Sequence, residues 1–567
     1  DYNTGTAHIS LPLGTYETGG YSLPISLEYT ASGIRVSQTA SWVGMGWELN
    51  AGGSVTREIR NLPDDIYEQN EYAPDEKGWL YWNDTITTTL WSALVQNFNF
   101  NADDTCQSLC ISAIRGDNNG TIHDAEPDIY FFHAGTISGS FIFKPGTNGE
   151  LPGDREILFL GDQNYQLDYS LNAETYEIDS FTITDDNGIQ YIFSEKEYML
   201  SNSTTIVTDT IFFQVSPLHD PIGRQKFLND QPLNSAEYSV RTHRIEPDTN
   251  QVLTGWHLSK IITPYKESIT FSYRDEWIPL DEGHILKYRN INSGYNDPIA
   301  NIRSNFISGN FIPKIKTKKL ELICGKNFSI DFVANQTRLD LDSSNIAAAY
   351  RPKRLEYIET FVKTASDSIQ KKKYSFYYTY PGSYTNEYPV SNDDVTAFER
   401  LCLDSLVISN GSLSLPPYKF SYDDMDDLPS RFSYAQDIWG YCNAAFEEGN
   451  TTYVPQTYVY KKLSGSDRFR HYDVQETDAP YDVEYVLPGA NREANAGYAM
   501  LGSLNQITYP TGGYLKLDYE DNQFVYNNGS TEADLTEYDG AGIRISKKTI
   551  GDGINSNNDI IEEYIYK

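Results

Sequence analysis

Residues 504–520 read LNQITYPTGGYLKLDYE. The stretch splits around Pro510-Thr511-Gly512-Gly513 into two short runs, and the second alternates. Leu515, Leu517 and Tyr519 fall on one face; Tyr514, Lys516, Asp518 and Glu520 fall on the other. Period-two alternation beside a turn that tolerates positive φ predicts a β-hairpin with one buried face. The same unit is echoed along much of the chain.

Working outward, residues 258–274 (LSKIITPYKESITFSYR) repeat it closely, with Ile269, Phe271 and Tyr273 on one face. Residues 178–197 set Phe181 and Ile183 against Ile189, Tyr191 and Phe193 across Asp186-Asn187-Gly188. Residues 129–144, 355–380, 403–424 (turn at Asn410-Gly411) and 543–567 follow the same form, and residues 8–30 make a first hairpin around Gly19-Gly20. The copies differ in length, which predicts a long antiparallel meander rather than a solenoid of fixed period. The fold class is therefore all-β: extended, curved antiparallel sheets built from successive hairpins, with few helices. Phe271 and Tyr519 are predicted core rings.

Composition agrees. The chain has 44 Tyr, 25 Phe and 8 Trp but 4 Met in 567 residues, a bias towards pleated, half-buried surfaces. Its net charge of −35 excludes nucleic acid as a partner, because phosphate binding needs clustered Lys and Arg. The same charge opposes anionic membrane surfaces, and no apolar run is long enough to predict membrane insertion. Five Cys (106, 110, 324, 402, 442) form no disulfide framework, although Cys106 and Cys110 are close enough for a local bridge. Cys402 reads as a small buried hydrophobe. Asp1 stands in mid-pattern, so the chain is expected to be a trimmed or processed piece of something longer.

The chemistry is sparse. There is no G-x-S-x-G, H-E-x-x-H, Walker A or dinucleotide fingerprint, and the eight His are scattered. No catalytic residue, cofactor or metal ligand is assigned. The reading open to a metal is calcium on Asp117, Asn119 and Asp124, in a polar loop whose spacing matches no EF-hand. The acidic stretches 124–128 (DAEPD) and 423–431 (DDMDDLPSR) read as turns or solvated edges. His257 reads as a cross-strand residue. In residues 41–65, Trp42 and Trp47 frame Gly44 and Gly46, which suggests a tight bend packed beneath the indoles. The candidate ligand-binding loop is QDIWGYCNAAFEEGN (436–450). There Asp437, Trp439, Tyr441 and Asn443 stand at alternate positions, as in a sugar-binding groove or equally one face of a strand.

Several segments together resemble a known family. They are ISLPLGTYETGGYSLPISLEYTASGI (9–34), SWVGMGWELNAGGSVTR (41–57), DAEPDIYFF (124–132), GSFIF (139–143), LPPYKFSYDD (415–424), LPSRFSYAQDIWGYCN (428–443), ANREANAGYAMLGSLNQITYPTGGYLKLDYE (490–520) and AGIRI (541–545). In this order they resemble the N-terminal, repeat-preceding region of RHS/YD-repeat proteins of the Bacteroidota type. The resemblance implies a non-enzymatic scaffold in a large exported protein, at the cell surface or extracellular, that displays, delivers or partly encapsulates a C-terminal effector. The implied partners are that effector or repeat region of the same polypeptide and a secretion machinery such as type IX. The regular YD-x-x-G-R repeats and the autocleavage segment of such shells are absent from this sequence. Two other readings are a glycan-binding adhesive surface protein and a hydrolase with two carboxylates across a β-groove. The expected division is 1–63, an N-terminal β segment with the Trp/Gly-rich bend; 64–128, an irregular insertion; 129–300 and 301–430, two hairpin-built regions; and 431–567, a C-terminal β region leading towards repeats.

Overall fold

The structure, a computed structural model, describes residues 5–60, 62–68, 76–81, 122–124, 126–146, 150–162, 164–200, 205–212, 238–245, 251–279, 314–344, 346–364, 367–382, 395–445, 450, 453, 455, 457–462, 481–487, 489–527 and 535–566. Cys106 and Cys110 lie outside these residues. The fold is all-β, and its unit is the antiparallel hairpin. Apolar residues face each other across the turns, as Ile183 does Tyr191, Phe181 does Phe193, Ile261 does Ile269 and Ile507 does Leu515. Such directly opposed pairs are the stabilising contacts of a sheet.

Among the described residues, twenty strands hydrogen-bond into one sheet that closes on itself. Closure is local. Strand Gln190–Leu200 pairs with Gln251–Ile262 over most of its length, and its end (Tyr198 to Leu200) also pairs with Lys316 to Lys314. Strand Lys314–Cys324 returns through Ser268–Pro279 to Gln251–Ile262, completing a ring of four. The free side of Gln251–Ile262 forks there, taking Ser268–Pro279 at one end and Gly53–Glu58 at the other. Trp256 is fully buried at the fork. Its indole N–H donates to the Ile178 carbonyl at 3.0 Å, and its ring meets Phe181 edge-on at 4.8 Å.

A second sheet of three strands, Ala7–Thr18, Tyr21–Ala31 and Trp47–Asn50, packs against the first. Its contacts reach strands from all over the sequence. Tyr16 meets Phe328 at 5.2 Å, Tyr21 meets Tyr191 at 6.0 Å, and the Tyr374 hydroxyl donates to the Leu13 carbonyl. Trp47 packs between Tyr29 (5.2 Å) and Phe420 (4.8 Å) and donates to the Tyr422 hydroxyl at 2.9 Å. The Tyr29 hydroxyl accepts from the Leu504 amide at 2.8 Å. Among the described residues, most buried apolar side chains thus form one core that draws on strands from Ala7 to Leu517, with smaller clusters at Ala397, Phe398 and Phe432 and at Tyr441, Ala499 and Ile543. Phe271 lies in the main core, and half-buried Tyr519 packs on it while donating to the Leu504 carbonyl at 2.6 Å.

Two glycines set the bend between the second and third of these strands. Gly44 has φ +115°, and a Cβ there would lie 2.9 Å from the Leu403 amide nitrogen; at Gly46, φ +74°, it would lie 2.5 Å from the Tyr29 ring. Only glycine meets both demands, positive φ and close approach.

Phe181 is fully buried among Tyr130 (5.7 Å), Phe141 (5.5 Å) and Trp256. Phe181→Ala is expected to lower stability by about 3–5 kcal/mol in urea denaturation. A loss below about 1 kcal/mol would show that this face is not core.

Candidate functional site

The loop holding the four candidate residues is a tight reversal in which Asp437 and Tyr441 pair through the Asp437 amide and Tyr441 carbonyl (2.8 Å). The Asp437 carboxylate is buried and accepts from the amides of Trp439 (2.8 Å) and Tyr441 (3.0 Å), fixing the turn at Gly440, φ +95°. Burial raises its pKa, against the lowering effect of those amides and of Arg492. Tyr441 is buried too. Its hydroxyl lies 3.1 Å from Ser32 Oγ, its ring packs against Gly33 and Gly542, and the Arg35 guanidinium sits 5.9 Å from the ring centre.

Asn443 is buried and donates to the carbonyls of Asn491 (3.2 Å) and Glu493 (3.1 Å), while its oxygen accepts from the Ala445 amide at 3.1 Å. Trp439 points outward. It is 37% exposed, beside Ile438 at 61%. The structure therefore brings Asp437, Tyr441 and Asn443 together at an internal junction and leaves Trp439 on the surface.

That junction joins segments far apart in sequence. Val36 donates to the Gly440 carbonyl (2.9 Å), and Ile543 donates to that of Ser32 (2.9 Å). Arg492 reaches the Asp437 carbonyl at 2.5 Å. Fully buried Arg400 donates to the carbonyls of Gln38 (2.9 Å), Val36 (2.7 Å) and Pro429 (2.9 Å). Burial, helped by neighbouring Arg431, pushes the Arg400 pKa down to about 9. Three carbonyls suit a guanidinium fork and would be poorly matched by an ammonium.

The clusters with catalytic residue types are likewise built into the frame. Glu197 accepts from Thr317 and lies 3.3 Å from His257 Nε2, across the strands that close the ring. Burial would raise the Glu197 pKa, but His257 and Thr317 outweigh it and hold it below the ordinary value. Burial lowers the pKa of nearby Lys319, against the charges of Glu276 and Glu197.

A second cluster forms where the chain enters and leaves residues 66–123. Both Pro63-Asp64 and Pro127-Asp128 place a carboxylate on the other's backbone. Asp64 Oδ1 accepts from the Asp128 amide (2.9 Å), and Asp128 Oδ2 accepts from the Asp64 amide (3.0 Å). The Tyr130 hydroxyl donates to Asp64 Oδ2 at 3.1 Å, and Arg57 pairs with Asp65 at 2.6 Å. Asp124 and Asp128 are fully buried, which corrects the solvated-edge reading of 124–128, while exposed Glu126 and its amide bond to Asp124 keep the segment a turn. In 423–431 the reading divides: Asp426 and Asp427 are exposed, whereas Leu428, Ser430 and Arg431 are buried. The sequence signal for the clasp was the repeated Pro-Asp, which has no meaning until the two copies meet. Of the calcium candidates, Asp117 and Asn119 lie outside the described residues, and Asp124 accepts from the Glu126 amide at 3.4 Å. Among the described residues, no three His, Cys, Asp or Glu side chains gather as a metal site. The described surface also has a groove of about 390 Å³ between Thr6–Ser10 and the strands around Leu515, Leu517 and Ile545, with Lys548 and Tyr566 at its walls.

No family model and no curated protein matches this chain. Among solved structures it is similar to a TcdB2–TccC3 complex, at 11% identity and TM-score 0.33, covering 95% of this chain and 22% of that one. It is similar to the N-terminal domain of the effector protein SpvB from Salmonella typhimurium, at 12% identity and TM-score 0.27, covering 71% of this chain and 98% of that one. A third is the Tc holotoxin pore from Photorhabdus luminescens, at 10% identity and TM-score 0.29, covering 96% and 24%. The chain thus spans about a fifth of the length of the TcdB2–TccC3 chain.

The Pro-Asp clasp titrates. Burial, reinforced for Asp64 by the charge of Asp128, raises the Asp64 pKa well above the usual carboxylate range. Burial likewise pushes Asp128 up to about 6, against Arg57 and the amides it accepts from. Unfolded Asp titrates near about 3.9, so between roughly pH 4 and 6 the native chain holds protons that the unfolded chain has lost. Stability from this cluster should therefore rise as pH falls through about 6. Asp64→Asn keeps the shape and can donate to the Tyr130 hydroxyl. It is expected to raise the urea midpoint at pH 7.5 and flatten the rise on acidification. A pH profile identical to that of the parent would refute the assignment.

Proposed function

We propose that this chain is a non-enzymatic β-scaffold from the repeat-preceding region of a large exported RHS-type protein, which displays, delivers or partly encloses a C-terminal effector of the same polypeptide. One observation carries this reading: side chains of catalytic type are used to hold the fold together, most of them between segments distant in sequence. Glu197 and His257 pair across adjacent strands of the ring, Asp64 and Asp128 clasp the points where the chain enters and leaves residues 66–123, Arg400 ties Val36 and Gln38 to Pro429, and Asp437 fixes its own turn. Such use favours rigidity over turnover. The order of the family-like segments along the chain gives the RHS reading its second support. No helix among the described residues is long and apolar enough to cross a membrane.

The test is protease protection in a polypeptide that carries an effector segment after residue 567. The segment following residue 567 is expected to be cleaved more slowly when residues 1–567 are intact than when they are removed. Equal cleavage rates would contradict the scaffold role. A second reading, glycan-dependent adhesion, is favoured by Ile438 and Trp439, an exposed apolar pair on a turn rigidified by Asp437. It predicts binding on a glycan array that Trp439→Ala abolishes without loss of stability, and a wild-type protein silent across a broad array excludes it.

A further inference from the structure

Cys324 ends strand Lys314–Cys324, and Lys363 ends strand Tyr357–Lys363; strand Phe328–Val333 lies between them. Register brings the two ends to the same edge. Cys324 stands opposite Ser329, Phe328 stands opposite Val362, and the Lys363 amide donates to the Asn327 carbonyl at 2.8 Å. Lys363 Nζ lies 2.7 Å from Cys324 Sγ. That is inside the about 3–3.5 Å separation of a near-attack arrangement. Both residues are partly exposed, so a small oxidant can reach the sulfur. The other two described cysteines provide the contrast. Cys402 and Cys442 are buried, and burial drives the Cys402 thiol pKa far up, away from the reactive thiolate.

We propose that Cys324 and Lys363 form a peroxide-driven covalent crosslink that staples the two outer strands across the middle one. The sulfur attacks one peroxide oxygen; an S–O bond forms, the O–O bond breaks, and hydroxide leaves as water with the thiol proton. The two electrons lost by sulfur reduce the peroxide. The resulting sulfenic acid condenses with the neighbouring amine: a lysine proton goes to the departing hydroxyl, water leaves, and an S–N bond forms. The balance is one thiol, one amine and one peroxide giving one sulfenamide and two waters. A second peroxide would leave an oxygen in the bridge as S–O–N and release one further water. A dithiol returns two electrons to the S–N link and restores thiol and amine, itself becoming a disulfide.

The test is peptide mapping by mass spectrometry of the full chain after hydrogen peroxide treatment and capping of free thiols, without reduction. The expected product is one linked peptide pair containing Cys324 and Lys363, lighter than the sum by two hydrogens, or carrying one added oxygen beyond that. It should vanish on dithiothreitol treatment and be absent from both Cys324→Ser and Lys363→Arg. The arginine variant keeps the positive charge and the fold, so it separates chemistry from misfolding. Cys324 recovered as a free thiol, or as sulfinic or sulfonic acid with Lys363 unlinked, overturns the proposal. So does a crosslink that persists in Lys363→Arg.

Discussion

The aromatic seam between the N-terminal three-stranded sheet and the inner face of the large sheet supports everything else. A curved sheet with one apolar face must cover that face or expose it to water. Here Tyr29 and Trp47 supply the cover, both fully buried. Aromatic rings bury about 150–250 Å² each, so at about 25 cal/mol per Å² each removes roughly 4–6 kcal/mol of exposure cost as an upper bound. Their polar ends are also matched, Trp47 to the Tyr422 hydroxyl and the Tyr29 hydroxyl to the Leu504 amide. One hairpin near the start of the chain thereby holds strands from residues 191 to 504.

Charge is sorted by the same logic. The net −35 is tolerable because, among the described residues, acidic side chains mostly remain at least partly in water, and those taken inside make hydrogen bonds or ion pairs. Asp340 pairs with Arg338 at 2.6 Å, and Arg57 lies among Asp65, Asp128 and Tyr130. Buried pairs of this kind add little net stability, because desolvation offsets their attraction; losing one partner is costly. Their effect is on geometry. Each specifies which distant segment meets which.

The hairpins were legible because a pleated strand with one buried face imposes a period of two, and Phe181 and Ile183, then Ile189, Tyr191 and Phe193, and likewise Leu515 and Leu517, are buried in that period. Long-range joins left no such trace. The packing of the N-terminal sheet on the large one, the pairing of Gly53–Glu58 at the fork and the closure through Tyr198–Leu200 depend on contacts more than a hundred residues apart. The Pro-Asp clasp was not legible, because 124–128 read alone is a polar turn and Pro63-Asp64 carries no signal until Asp128 meets it. The 436–450 loop left two readings open, a ligand groove and internal packing. Asp437, Tyr441 and Asn443 do share a side, but that side faces the protein and not a groove, since a tight turn repeats alternation that a strand would also give.

If the seam makes the two sheets one cooperative unit, native-state hydrogen exchange measures it directly. Amides of Tyr21–Ala31 and Leu504–Thr508 should then exchange through the same opening, with equal free energies and equal dependence on denaturant. Exchange of Tyr21–Ala31 through a lower-energy opening, with Leu504–Thr508 still protected, would contradict it.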